Sequence, residues 1–158
     1  MSAIYEALQD RTDYDSFGTV FHQWLPGRAE YLQMRSYFPG GYKLHVSVEP
    51  AEAELAARLV LPFLRERLNV FHKIASGPAQ YGRLNSGRQR GKFITIYAGP
   101  LVHGFAKVVN ALDPFLAQAH LRPGPRPLAR LARVPGTEEE RVGLSGLLSY
   151  VAVADFGD

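Results

Sequence analysis

The chain of 158 residues contains no cysteine. Disulfides, thiolate catalysis and cysteine-based zinc sites are therefore excluded. No stretch reaches the roughly 18 unbroken apolar residues of a membrane-spanning helix. The opening Met1-Ser2-Ala3-Ile4-Tyr5-Glu6 lacks the basic start and apolar run of a secretory signal. A cytoplasmic setting without membrane contact is the expectation. The five histidines, at 22, 45, 72, 103 and 120, show none of the paired spacings that mark a metal site, and no metal or other cofactor is expected. Acidic residues are missing locally. Residues 67–112 hold no Asp or Glu but carry Arg67, Lys73, Arg83, Arg88, Arg90, Lys92 and Lys107. A segment of one sign suits an anionic partner: phosphate, phosphopeptide or nucleic acid.

What is present fits one globular domain. Apolar residues make up 46% and charged residues 21%, ordinary values for a soluble protein, and the length suits a single hydrophobic core. Residues 1–158 are read as one domain, with a variable part over 1–38 and the core over 39–158. Short elements are expected at Ala3–Leu8, a helix, and at Ala29–Arg35, where helix and strand remain open. Pro39-Gly40-Gly41 reads as a turn.

The stretch Gly41–Val48 alternates as a β-strand: Leu44, Val46 and Val48 point one way, Lys43, His45 and Ser47 the other. Glu49-Pro50-Ala51-Glu52 looks like a helix start. Leu55, Leu59 and Phe63 with their neighbours continue an apolar stripe to about residue 68, with a kink at Pro62. Leu68–Ile74 reads as a second strand, parallel to the first and adjacent or one strand removed. Ala75–Gly91 reads as a loop. Lys92–Tyr97 is a third strand, Leu101–His120 an amphipathic helix, and Leu147–Ala154 a last strand. The expected fold is α+β: a single small mixed sheet with helices mainly on one face.

If the three strands are neighbours, Lys43, His45, Lys73 or His72, Tyr97 and the arginines of the 75–91 segment converge at one end of the sheet. Guanidiniums bind phosphate bidentately and stay charged. A lysine crowded by cations is pushed toward its neutral form and can serve as a base. A histidine beside an anion keeps its proton and can serve as an acid. Base, acid and anion clamp together suit β-elimination of phosphate from a phosphorylated serine or threonine.

Gly41–Val48, a helix, Val70-Phe71-His72-Lys73-Ile74, and then Gly91–Tyr97 resemble the lyase module of class III and IV lanthipeptide synthetases. The Lys-x-His-x-Ser motif is similar to that of bacterial effector phosphothreonine lyases. The tract His120-Leu121-Arg122-Pro123-Gly124 is similar to lyase-like proteins of class V lanthipeptide pathways. The resemblance implies a phosphothreonine-lyase-like fold and a carbon–oxygen lyase acting on phosphoserine or phosphothreonine. The substrate would be a ribosomally made precursor peptide, and the product dehydroalanine or dehydrobutyrine. It implies Lys73 as the α-proton base, or His72 one register away; His45 as the general acid; Lys43 on the substrate carbonyl or phosphate; and Tyr97 orienting Lys43 by a hydrogen bond. Arg88 best matches the loop arginine that holds phosphate, with Arg83, Arg90 and Lys92 beside it. A separate kinase and a separate cyclase are the implied partners.

The chain departs from the family in one place. Family members carry a further phosphate-binding arginine on the final strand, and no arginine follows Arg141 here. Either Arg122, Arg126, Arg130 or Arg133 substitutes, or the clamp is incomplete. The second reading is therefore a non-catalytic lyase-fold module that holds a phosphopeptide, a leader peptide or a partner enzyme. A nucleic-acid binder using the basic segment ranks last: net charge is only +3, and no nucleic-acid motif is present.

Overall fold

The computed structural model describes residues 5–9, 11–17, 21–24, 41–99, 102–129 and 134–153. The Ala29–Arg35 element, the Pro39-Gly40 part of the turn, Arg130 and Arg133 lie outside them. Seven strands form one sheet: β1 (Asp15–Phe17), β2 (Phe21–Trp24), β3 (Gly41–Val46), β4 (His72–Ala75), β5 (Ile94–Tyr97), β6 (Glu140–Arg141) and β7 (Leu148–Val153). Their order is β1-β2-β4-β5-β3-β7-β6. The sheet is antiparallel in every adjacent pair rather than mixed. The crossover after β3 skips one position, which β5 fills. β3 and β4 thus run parallel, one strand removed, as the length of their connection requires.

Among the described residues there are three α-helices: α1 (Ala53–Pro62), α2 (Pro78–Leu84) and α3 (Val102–Ala119). α1 follows a 3-10 turn at Pro50–Glu52, and after Pro62 it widens into a π-helical turn over Phe63–Leu68 that ends at Asn69 in the left-handed region. Proline has no N–H to donate, and the wider turn accommodates that without a break. The expected N-terminal helix is a single 3-10 turn at Glu6–Leu8.

Alternation along the central strands gives the sheet two unlike faces. Leu44, Val46, Ile74, Ile94, Ile96 and Leu148 are all fully or almost fully buried on one of them. They share a core with Ala56, Ala57, Val60 and Leu61 of α1 and with Val108, Val109, Leu112 and Leu116 of α3. Phe63 stacks on Phe115 at 4.3 Å and Tyr42 on Phe105 at 4.8 Å, joining both long helices to the same side. The helix-covered face is the expected one.

The 75–91 segment is not a loop throughout. Pro78 starts α2, and Tyr81 and Leu84 anchor it in the core. The Tyr81 hydroxyl donates to the Val48 carbonyl at 2.7 Å. The second strand starts at His72, not Leu68, because the π-helical turn uses the residues before it.

Candidate active site

The other face of the sheet is polar. Residues directly opposite in antiparallel strands project to the same side. Asp15 pairs with Gln23, Gln23 with Lys73, Lys73 with Thr95, Thr95 with His45, His45 with Ser149, and Ser149 with Arg141. One row of polar side chains therefore crosses all seven strands. Lys43 and Tyr97 pair in the next row of the same face. At about 4.8 Å per strand, His45 and Lys73 stand roughly 10 Å apart on the backbone, with Thr95 between them.

This register settles which member of the His72-Lys73 pair shares a face with His45. It is Lys73. His72 opposes Ile96 on the core face and is wholly buried. Its Nδ1 donates to the Val70 carbonyl at 2.8 Å, and its Nε2 accepts from the Tyr14 hydroxyl at 2.6 Å. Trp24 stacks on its ring. Burial drives the His72 pKa down to about 4, so it is neutral at physiological pH.

Both lysines converge on Tyr97. The ammonium of Lys43 lies 5.6 Å, and that of Lys73 5.9 Å, from the Tyr97 ring centre. Phe71 backs that ring at 4.1 Å, and Phe21 lies 4.4 Å from the Lys73 ammonium on another side. Aromatic faces attract cations, so these rings fix where the two amines point. Tyr97 thus meets Lys43 through its ring face.

His45 is among the most enclosed groups of the polar face, at 2% exposure. Its Nδ1 donates to Oε1 of Glu139 at 2.8 Å, and the Ser149 hydroxyl donates to the same oxygen at 2.9 Å. Glu139 is equally buried, and its Oε2 has no hydrogen-bond partner among the described residues. Burial holds the His45 pKa below its ordinary value; Glu139 opposes that shift, while Lys92 and Lys43 add to it. With Nδ1 committed to Glu139, Nε2 is the atom left to exchange a proton.

Glu139 reaches the sheet through a strap. Glu49 N donates to the Arg122 carbonyl, Gly124 N to Ser47 O, and Glu139 N to Pro127 O, at 2.8 to 3.2 Å. The Ser47 hydroxyl donates to Pro125 O at 2.5 Å, so Ser47 fastens the strap. At Gly124 a β-carbon would collide with the Val48 carbonyl; only glycine lets the two backbones come so close.

The basic residues divide. Lys92 is buried and close enough to His45 to influence its charge. Arg90 donates to the Arg126 carbonyl at 3.2 Å and pairs with Glu138 at 2.9 Å. Arg83 is exposed on α2 and bonds Gln80, and Arg88 is exposed in the following turn. No described contact brings Arg83 or Arg88 to the polar face; the short helix turns Arg83 outward, and Arg88 is exposed in the turn after it. Arg122 pairs with Glu52. The described part of the last strand carries no arginine, but Arg141 opposes it from β6 and Arg126 lies beside Glu139. Among the described residues no three His, Asp or Glu side chains gather in a metal-binding group, and no helix is long and apolar enough to cross a membrane.

Glu139 and Ser149 were invisible in the sequence as site residues. Glu139 sits 94 positions from His45, inside an acidic run that reads as solvated surface.

Residues 22–132 match the family model described as RamC, N-terminal domain. Among solved structures, the type III effector and phosphothreonine lyase OspF from Shigella flexneri is similar, with a TM-score of 0.55 and 18% identity over 89% of this chain and 70% of that one. A comparison with curated proteins finds no match. The two matches bear out the lanthipeptide and effector lyase resemblance and the phosphothreonine-lyase-like fold.

Proposed function

The chain belongs to the RamC N-terminal-domain family, and from that premise we propose that it is a phosphoserine or phosphothreonine lyase acting on a phosphorylated precursor peptide. The observation that carries the reading is the shared face of Lys43, His45, Lys73 and Tyr97, with a buried carboxylate behind His45.

The phosphate binds beside Lys43 and Lys92, the cations that act on His45. Lys73 takes the α-proton of the phosphorylated residue. Cations crowded together disfavour one another's charge, which is the electrostatic route to a neutral amine in such a cluster. The electron pair of the broken Cα–H bond becomes the Cα=Cβ double bond. The Cβ–O bond breaks, and His45 Nε2 gives a proton to the departing bridging oxygen. Serine yields dehydroalanine, threonine yields dehydrobutyrine, and inorganic phosphate leaves.

A neutral resting His45 fits this cycle. An arriving phosphate dianion favours imidazolium, so the acid is charged when substrate is present. Glu139 then stabilises the positive ring and fixes its tautomer. A kinase supplies the phosphorylated residue, and a cyclase consumes the dehydrated one.

The test is direct. The protein is incubated with phosphoserine and phosphothreonine peptides, with and without a leader, and loss of the phosphoric acid mass is followed by mass spectrometry. Peptides that stay intact while binding saturably would replace this reading with the non-catalytic module.

A further inference from the structure

Two aromatic rings flank Lys73 along its own strand. Lys73 opposes Thr95 on β5, and Tyr97 lies two residues further on, where its N–H bonds the Phe71 carbonyl. In the reverse direction Phe21 of β2 opposes Ala75, two residues beyond Lys73. Alternation puts Phe21, Lys73 and Tyr97 on one face, with a ring toward each end of the lysine. The Lys73 ammonium lies 4.4 Å from the Phe21 ring centre and 5.9 Å from that of Tyr97. Phe21 is only 8% exposed, and a contact shielded from water is where an aromatic face attracts a cation most strongly. Phenylalanine has no polar atom, so Phe21 serves the chemistry only through Lys73.

We infer that Phe21 is a positioning residue for the base: its ring seats the Lys73 amine in the polar row and raises the pH at which that amine gives up its proton. The inference rests on the lyase reading above and adds a residue to it. A ring face attracts an ammonium and not a neutral amine, so Phe21 opposes the crowding of cations, which disfavours the charge. The titratable groups on this face of the neighbouring strands are Asp15 on β1, Tyr97 on β5, and Lys43 and His45 on β3, with Lys92 near His45. All of them are retained in a Phe21 variant. The ring has two effects on Lys73, of opposite sign. As a seat it favours the ammonium, and its loss moves the titration to lower pH. As a dry wall it disfavours the ammonium, and its loss moves the titration to higher pH. At 4.4 Å from the ring centre the attraction is the larger effect.

The experiment uses the full chain, labelled with carbon-13 at the lysine ε-carbons. The chain has four lysines, and Lys73→Arg identifies the Lys73 signal by its loss. Phe21 is replaced by mono-, di- and trifluorinated phenylalanines, which drain electron density from the ring face and nearly keep its shape, and by Leu, which removes the ring. A melting curve accompanies each variant. The titration midpoint of Lys73 should fall stepwise with fluorine content, and by about 0.4–1.5 pH units in Phe21→Leu. The acid limb of the kcat–pH profile on a phosphoserine peptide should move down with it. In Phe21→Leu the plateau kcat should also fall by roughly 3- to 30-fold, with KM within about twofold, because the amine is no longer aimed. A midpoint unmoved across the fluorinated series overturns the inference. So does a midpoint that rises in Phe21→Leu, which would make the ring a dry wall. An acid limb that stays in place while the midpoint falls would show that the seated amine is not the base, and overturns the positioning role. If no peptide is eliminated, the lyase reading falls, and the titration alone decides whether Phe21 seats the amine.

Discussion

Replacing Glu139 with Gln isolates the role of charge behind His45. The variant keeps the shape of the side chain and an oxygen able to accept from His45 Nδ1 and Ser149 Oγ. It removes the negative charge. A hydrogen bond to a charged group is worth about 1.5–3 kcal/mol and a neutral one about 0.5–1.5, so about 1–2 kcal/mol of support for the imidazolium is lost. That corresponds to roughly 5- to 30-fold in the population of the acid form. The sign follows from the forces on His45. Burial, Lys92 and Lys43 all disfavour its proton, and Glu139 alone favours it. Without the carboxylate, the alkaline limb of the kcat–pH profile should move toward lower pH, and the rate at neutral pH should fall by that factor. The new amide N–H₂ lands where Oε2 had no partner, so thermal stability should fall too. Steady-state elimination measured across pH, beside a melting curve for each variant, separates the two effects. An alkaline limb that stays in place, with a rate that falls only as the folded fraction falls, would refute the argument.

Three other outcomes follow from the same geometry. Lys73→Ala should lower elimination by about 10²–10⁴-fold while phosphopeptide affinity by calorimetry stays within a few-fold; equal loss of both would make Lys73 a binding residue. His72 is neutral when folded, with a pKa near 4 against 6.5 unfolded. Its contribution is complete above pH 6.5 and is lost as pH falls toward 4, about 3 kcal/mol across that window. Tyr14, Arg65 and Asp13 are the titratable neighbours that accompany it, and His72→Gln should flatten the dependence of the urea midpoint on pH. Gly124→Ala should destabilise the fold by about 1–3 kcal/mol and reduce turnover further by loosening the strap that carries Glu139; a melting temperature equal to wild type would contradict the close approach described.

The parts of this site legible in the sequence were those set by local alternation. Lys43-x-His45 announced its own face, and the helix between β3 and β4 fixed their parallel course. Strand pairing, which put Lys73 rather than His72 beside His45, was not local: it depends on β5 arriving between two strands already made. The 75–91 segment misled because Gly, Ser and Asn hide a short helix whose only clear signals are Pro78 and the core contacts of Tyr81 and Leu84. Of the four cations expected to hold phosphate, Arg83 and Arg88 lie exposed on and after that helix, Arg90 pairs with Glu138, and Lys92, just before β5, is buried and near enough to His45 to act on its charge. Glu139 escaped because only tertiary folding removes one carboxylate of the Glu138-Glu139-Glu140 run from water.

The adjacency of His72 and Lys73 has a consequence for which changes this chain can survive. A single peptide bond joins a residue locked in the interior to one on the polar face. Inserting or deleting one residue in β4 would swap them, burying an ammonium beside Tyr14 and Trp24 and placing an imidazole in the polar row. Segments on either side can vary in length, but here foldability and chemistry would be lost together.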